Sequence, residues 1–234
     1  FMRIFFLFLL LLLSGCNSSL ERNDATQYDK GSFSQLTKTD FDRMADYEIK
    51  ENTQSLKILA LKFYKRNPAE LRKTTSDSPE VTVNWLFSNS HSWKFKEINN
   101  AQGIEALDQV FDENFNGDRV LSLIAGLYTM LITAHDNQKE FDMFDSLDPQ
   151  LIYNAARNVE VIVWRLSTKR KKNGKLFLVT NEMNGNLQNL TFEREFGKII
   201  GRTDYFAYVL SEKKERYITR AIQGTTIRVL LPFL

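Results

Sequence analysis

Residues 120–133, VLSLIAGLYTMLIT, form the most hydrophobic interior run of the chain, and such a run has to be shut away from water. It is too short to cross a bilayer, which takes about 20 apolar residues, and Ser122, Gly126, Tyr128 and Thr129 interrupt it. A segment of this length is expected to be the central buried helix of a packed core. Asn116-Gly117-Asp118 breaks the chain just before it, and Asp118 stands where a side chain caps the helix that follows.

Apolar positions recur at helical spacing on both sides of that element. Phe41, Met44, Ile49, Leu56, Leu59 and Phe63 predict one long helix or two short ones over residues 40–66, stopped by Asn67-Pro68, with a short helix from Pro68 through Leu71. Residues 79–88 alternate like a strand at Val81, Val83, Trp85 and Phe87. Ser78-Pro79-Glu80 nevertheless has the form of a helix start, and helix is preferred. Residues 88–92 read as a loop and as the nearest approach to a domain boundary in the first half.

Ile104, Leu107, Val110 and Phe111 predict a short amphipathic helix. Asp148-Pro149 opens a long one, with Leu151, Ile152, Ala155, Val159, Ile162, Val163 and Leu166 as its apolar face and Gly174 as its end. Residues 175–179 look strand-like. Phe192, Phe196, Ile199 and Ile200 predict one more helix, residues 205–222 another, and residues 225–234 an apolar tail packed into the fold. The expected fold is mainly α, a multi-helix globular domain over residues 37–234 with a minor extended segment. The alternative is α+β, with residues 81–87, 175–179 and 225–231 paired as strands.

The first fifteen residues read as an export signal: Arg3, an apolar run over residues 4–13, then the small pair Ser14 and Gly15. Cys16 follows at once and is the only cysteine in the chain. Leu13-Ser14-Gly15-Cys16 resembles the lipobox of bacterial lipoproteins. The resemblance implies cleavage between Gly15 and Cys16, a diacylglyceryl group on the Cys16 thiol and, usually, acylation of the new N-terminus. Two or three acyl chains hold a protein firmly, since each buried methylene contributes about 0.8 kcal/mol.

Residues 17–36 are polar and lack an apolar period, which predicts a flexible tether with a root-mean-square span of about 25 Å. Asn17 stands where an aspartate would resemble an inner-membrane retention signal. The expected location is therefore the cell envelope, lipid-anchored to the outer membrane and facing the periplasm. The patterns GDRV at 117–120, ARN at 156–158 and NLTFER at 189–194 are similar to uncharacterised proteobacterial lipoproteins. That resemblance implies no activity and supplies no functional residue.

With Cys16 given to the lipid, the remaining chain has no disulfide and no thiol for catalysis or metal binding, so its stability has to come from a core. Lysine and arginine total 31 against 29 acidic residues, a balance that argues against a nucleic-acid partner. Nothing in the motifs requires a cofactor beyond the lipid on Cys16. His91 and His135 are not in an HExxH arrangement, no GxSxG elbow occurs, and GKIIG at 197–201 lacks the spacing of a phosphate loop. No catalytic or metal residue is therefore assigned.

Weaker signals remain. His135-Asp136 places an imidazole beside a carboxylate, although a histidine at a helix end is favoured there by the helix dipole alone. Glu182, Glu193 and Glu195 are the carboxylates that a glycosidase-like pair would draw on. The basic run at 169–172 suits the end of the long helix, or contact with anionic lipid headgroups. Trp85, Trp93 and Trp164 are core anchors or a binding face. The candidate binding residues are Asp118, Arg119, His135, Asn181, Glu182, Glu193 and Arg194. The expected function is a binding or scaffolding module for an envelope protein partner, with a periplasmic hydrolase using a carboxylate site as the alternative.

Overall fold

A computed structural model of the chain describes residues 40–88, 91–137, 147–184 and 187–213. Seven α-helices occur among them: α1 Asp40–Arg66, α2 Pro68–Thr74, α3 Pro79–Leu86, α4 Gly103–Val110, α5 Arg119–Ala134, α6 Pro149–Thr168 and α7 Thr191–Lys213. The fold is mainly α, as expected. The signal, Cys16, the tether and the apolar tail at 225–234 lie outside the described residues.

Helix α5 is the centre. Every residue in it except Ile132 and Thr133 is buried, which is what an all-round apolar sequence requires. Its fully closed Val120, Leu123, Ile124 and Leu127 each contribute about 1.5–3 kcal/mol. The polar residues inside it are satisfied locally: Ser122 Oγ donates to Ala106 O at 2.9 Å, and Thr129 Oγ1 donates to Ala125 O at 2.6 Å while accepting from Gly103 N at 2.7 Å. Gly126 is where α4 comes closest, because an added Cβ would stand 2.7 Å from Leu107 Cγ and 2.9 Å from the Gly103 carbonyl.

Helices α1, α4 and α6 pack on this element, and α7 lies against α1 and α6. Phe63 on α1 meets the edge of Phe192 on α7 at a ring separation of 4.7 Å. Several helix starts follow from their caps: Ser78 accepts from Val81 N, Asp118 from Val120 N and Leu121 N, and Asp148 from Gln150 N.

Several expectations need correction. Residues 81–86 are helical, so the strand pairing of the α+β alternative is not adopted there. Residues 88–92 are no boundary, since Trp93 and Phe95 just after them belong to the same core. Helix α6 ends at Thr168 instead of Gly174, because the Ser167 and Thr168 hydroxyls both donate to Trp164 O and compete with the helical ladder. The basic run therefore lies mostly beyond the helix, in a turn closed by Gly174 at φ +77°.

Residues 191–213 are one helix, not two. Arg202, Thr203 and Asp204 each bond to a neighbouring helix, and no proline interrupts the period. Residues 175–179 make only a single bridge, Leu176 to Arg170, with Phe177 and Leu178 buried. The Asn67 side chain clamps Val179 from both sides, donating to its carbonyl at 2.9 Å and accepting from its N–H at 2.8 Å. The paired strands lie further on: β1 Glu182–Asn184 and β2 Leu187–Asn189, antiparallel, with Met183 opposite Gln188.

Candidate functional site

The candidate residues fall into three separate places. Asp118 and Arg119 stand at the start of α5, His135 at its end roughly 25 Å away by helix rise, and Asn181, Glu193 and Arg194 at the start of α7. Glu182 belongs to β1 by its backbone, and its side chain is outside the described set.

At the start of α5, Asp118 is fully buried and does more than cap. Its Oδ1 accepts from Val120 N at 2.8 Å and Leu121 N at 3.0 Å, while Oδ2 accepts from Tyr64 Oη at 3.0 Å and Thr74 Oγ1 at 2.9 Å. Burial pushes its carboxyl up to about 6 despite the bonds from Leu121, Thr74 and Tyr64 that favour the ionised form. Glu70 accepts from Arg119 N at 2.8 Å and from Lys73 Nζ at 2.8 Å, which ties α2 to the same helix start.

Arg119 is 5% exposed and closes the floor of a solvent-open cleft. Its Nε donates to Val110 O at 3.2 Å and its Nη2 to Asp112 O at 2.7 Å. The guanidinium also lies over the Phe115 ring at 5.6 Å and the Phe177 ring at 5.7 Å. Glu113, Phe115, Asn116, Lys171, Lys172 and Asn173 complete the cleft, whose volume is about 350 Å³. The Lys171 ammonium sits 5.7 Å from the same Phe177 ring. Its proton affinity is held below the usual lysine value by partial burial and then by the Arg119 and Lys73 charges, against the opposing pull of Glu70 and Glu113.

At the far end of α5, His135 is sealed from solvent with its Nε2 2.9 Å from Oε2 of Glu48 on α1. The sequence neighbour Asp136 is exposed, so the partner carboxylate is not the one adjacent in the chain. His135 Nδ1 donates to Leu131 O at 2.8 Å, and Phe206 stacks on the ring at 5.6 Å. Glu48 Oε1 accepts from Thr203 Oγ1 at 2.7 Å and from the Asn52 amide. Asn52 Oδ1 in turn accepts from Arg202 Nε at 3.1 Å, and Arg202 Nη2 donates to Ser55 Oγ at 2.6 Å. The crevice beside this network is about 10 Å³, the room of about one water.

At the start of α7, Asn181 Nδ2 donates to Glu193 Oε1 at 2.6 Å, and Arg194 is exposed. Glu195 is buried and pairs with Lys198 at 2.9 Å. Glu193 and Glu195 are two apart on a helix and so point about 200° apart around its axis. They do not face a common substrate position.

Sequence reasoning missed Glu48, Tyr64 and Glu70, which reach the candidates from helices remote in the chain, and Asn52 and Thr203, which bond to Glu48. It singled out the basic run but not its meeting with Arg119. Trp93 is a core residue, stacked on Tyr128 at 3.9 Å, whereas Trp85 and Trp164 are 43% and 45% exposed. No helix among the described residues is long and apolar enough to cross a membrane. No family model matches the chain, and neither a curated protein nor a solved structure matches it.

Proposed function

We propose that the chain is an envelope lipoprotein, anchored through a lipid on Cys16 in the outer membrane and facing the periplasm, where it works as a binding or scaffolding module for another envelope protein. The observation that carries this reading is a set of aromatic side chains left exposed, Tyr47 on α1 and Trp85 on α3 among them. Trp164 on α6 and Tyr205 and Tyr208 on α7 are 45%, 61% and 58% exposed, on two helices that pack against each other. Tyrosine and tryptophan are the residues enriched at protein interfaces.

The polar candidates are occupied in another way. Asp118 and Glu70 hold helix starts, and His135, Glu48 and Thr203 bind three helices together, so these groups serve the rigidity on which a binding surface depends. The hydrolase alternative has less support, because Glu193 and Glu195 diverge and the crevice beside Glu48 has no room for a substrate.

The test is crosslinking in intact cells followed by co-purification from mild detergent, run beside the Cys16→Ala variant. The expected result is one envelope protein enriched with the wild-type chain and diminished with the variant. Recovery of the wild-type chain alone under every mild condition would overturn the reading.

A further inference from the structure

The cleft at the start of α5 holds more positive charge than its own residues neutralise. Arg119 has no carboxylate partner in any ion pair of the described residues, and its Nε and Nη2 spend themselves on two backbone carbonyls. That leaves the full guanidinium charge beneath the cleft, with Nη1 unused by any acceptor among the described residues. Lys171 likewise has no ion-pair partner among the described residues, although Glu113 lines the same cleft. Glu113 is engaged by Lys172, whose backbone N–H it accepts and whose Nζ stands 3.6 Å away.

Both unmatched cations line the cleft, and both lie near Phe177, Arg119 at 5.7 Å and Lys171 at 5.7 Å from the ring centre. Phe177 is buried, so the ring is a fixed platform. Two cations lining one cleft outnumber its single carboxylate, Glu113, which Lys172 already engages. Partial burial first, and the Arg119 charge second, hold the Lys171 ammonium below its usual proton affinity.

We propose that this cleft binds a small ligand through a phosphate group, with Arg119 and Lys171 as the cationic contacts and Asn116 and Asn173 as hydrogen-bonding rim. A phosphate oxyanion matches two cations where a single carboxylate matches one, and guanidinium and ammonium are both established phosphate partners. The volume of about 350 Å³ is at the lower end of the range for small-molecule sites, roughly 300–1,000 Å³. A nucleic acid is not the ligand favoured, because Glu113 stands on the rim and the chain carries a net charge of only +2. The phosphate belongs either to a soluble ester or to a lipid headgroup. This assignment stands apart from the exposed aromatic residues of α6 and α7 and survives if no protein partner is found there.

The test is calorimetric titration of the full chain in an uncharged detergent with inorganic phosphate, glycerol 1-phosphate, short-chain phosphatidylglycerol and short-chain phosphatidylcholine. The expected result is saturable binding of at least one of the first three, weakened by added salt and weakened on the order of tenfold by Lys171→Gln. Arg119→Lys, which keeps the charge and removes the planar fork, is expected to weaken the same titration while circular dichroism shows the helices intact. Lys50→Gln, an exposed change on α1, is expected to titrate as the wild type does. Binding of glycerol 1-phosphate in preference to phosphatidylglycerol supports the site with a soluble ester as ligand, and the reverse preference supports it with a membrane headgroup. The proposal is overturned if no phosphate-bearing titrant saturates, if phosphatidylcholine binds as well as phosphatidylglycerol, or if Lys171→Gln leaves binding unchanged.

Discussion

Nε2 of His135 stands 2.9 Å from Oε2 of Glu48, with both side chains closed off from solvent. Because Nδ1 faces the Leu131 carbonyl, which can only accept, the imidazole carries its proton there. A second proton is then required between Nε2 and the carboxylate. Burial alone would lower the histidine's proton affinity, but the Glu48 bond and charge and the Leu131 carbonyl raise it above its usual 6.5. A raised value means that the contribution to stability is complete below about pH 6.5 and is lost as pH rises through the folded-state value. Urea unfolding of the wild type is expected to show this decline, and Glu48→Gln to flatten it, since a glutamine amide can donate to a neutral Nε2. His135→Ala, which leaves Glu48 buried without its counter-charge, is expected to cost about 3–5 kcal/mol. Equal pH profiles for wild type and Glu48→Gln would show that the pair is not ionised.

Asp118 has the opposite character, a carboxylate destabilised by burial. With its folded value at about 6 and an ordinary value of 3.8, the folded state takes up a proton first as pH falls. The stability of the wild type relative to Asp118→Asn is therefore expected to grow between about pH 6 and about pH 3.8, by up to about 1.4 kcal/mol per pH unit. Asp118→Ala is expected to cost roughly 2–4 kcal/mol, combining a lost helix cap with a Tyr64 hydroxyl left unsatisfied. Thermal melts across that range check both, and a constant difference between wild type and Asp118→Asn would contradict the first.

What the sequence made legible was local. Ser78-Pro79, Asp118 and Asp148-Pro149 marked helix starts because a cap and its helix are adjacent in the chain, and the run at 120–133 marked the core because it is apolar on every side. The end of α6 was misplaced because Gly174 is a strong stop signal, whereas the weaker hydroxyl bonds of Ser167 and Thr168 act first. The pairing of β1 with β2 had a signal, Gly185-Asn186 between two short runs, which is a hairpin spacing hidden among asparagines that also suit turns. The site was mostly illegible. Glu48 meets His135 only through the packing of two helices, and Lys171 shares a cleft with Arg119 only because the turn after α6 folds back, and no local pattern relates either pair.

Gly197 and Gly201 lie on α7 with nothing among the described residues within 4 Å of an added Cβ, so no packing among those residues calls for glycine there. Glycine inside a helix costs about 0.5–1 kcal/mol relative to alanine. Gly201→Ala and Gly197→Ala are each expected to raise unfolding free energy by about that amount, read from the denaturation midpoint at unchanged slope. A loss of stability in either variant would mean that the glycines are required by the fold.

The anchor is tested by labelling cells with a radioactive fatty acid. Cys16→Ala is expected to carry no label and to accumulate as the longer precursor, because the alkylated sulfur is the atom removed. Label in the variant equal to wild type would contradict lipidation at Cys16.

Site-specific photocrosslinking in intact cells tests whether the exposed tyrosines of α7 meet another envelope protein. A photoreactive residue placed at Tyr205 or Tyr208 is compared with one at Val81, which is 53% exposed on α3. The two α7 positions are expected to give one shared adduct of defined mass that Val81 does not give. Adducts that are absent from Tyr205 and Tyr208, or identical from all three positions, would contradict it.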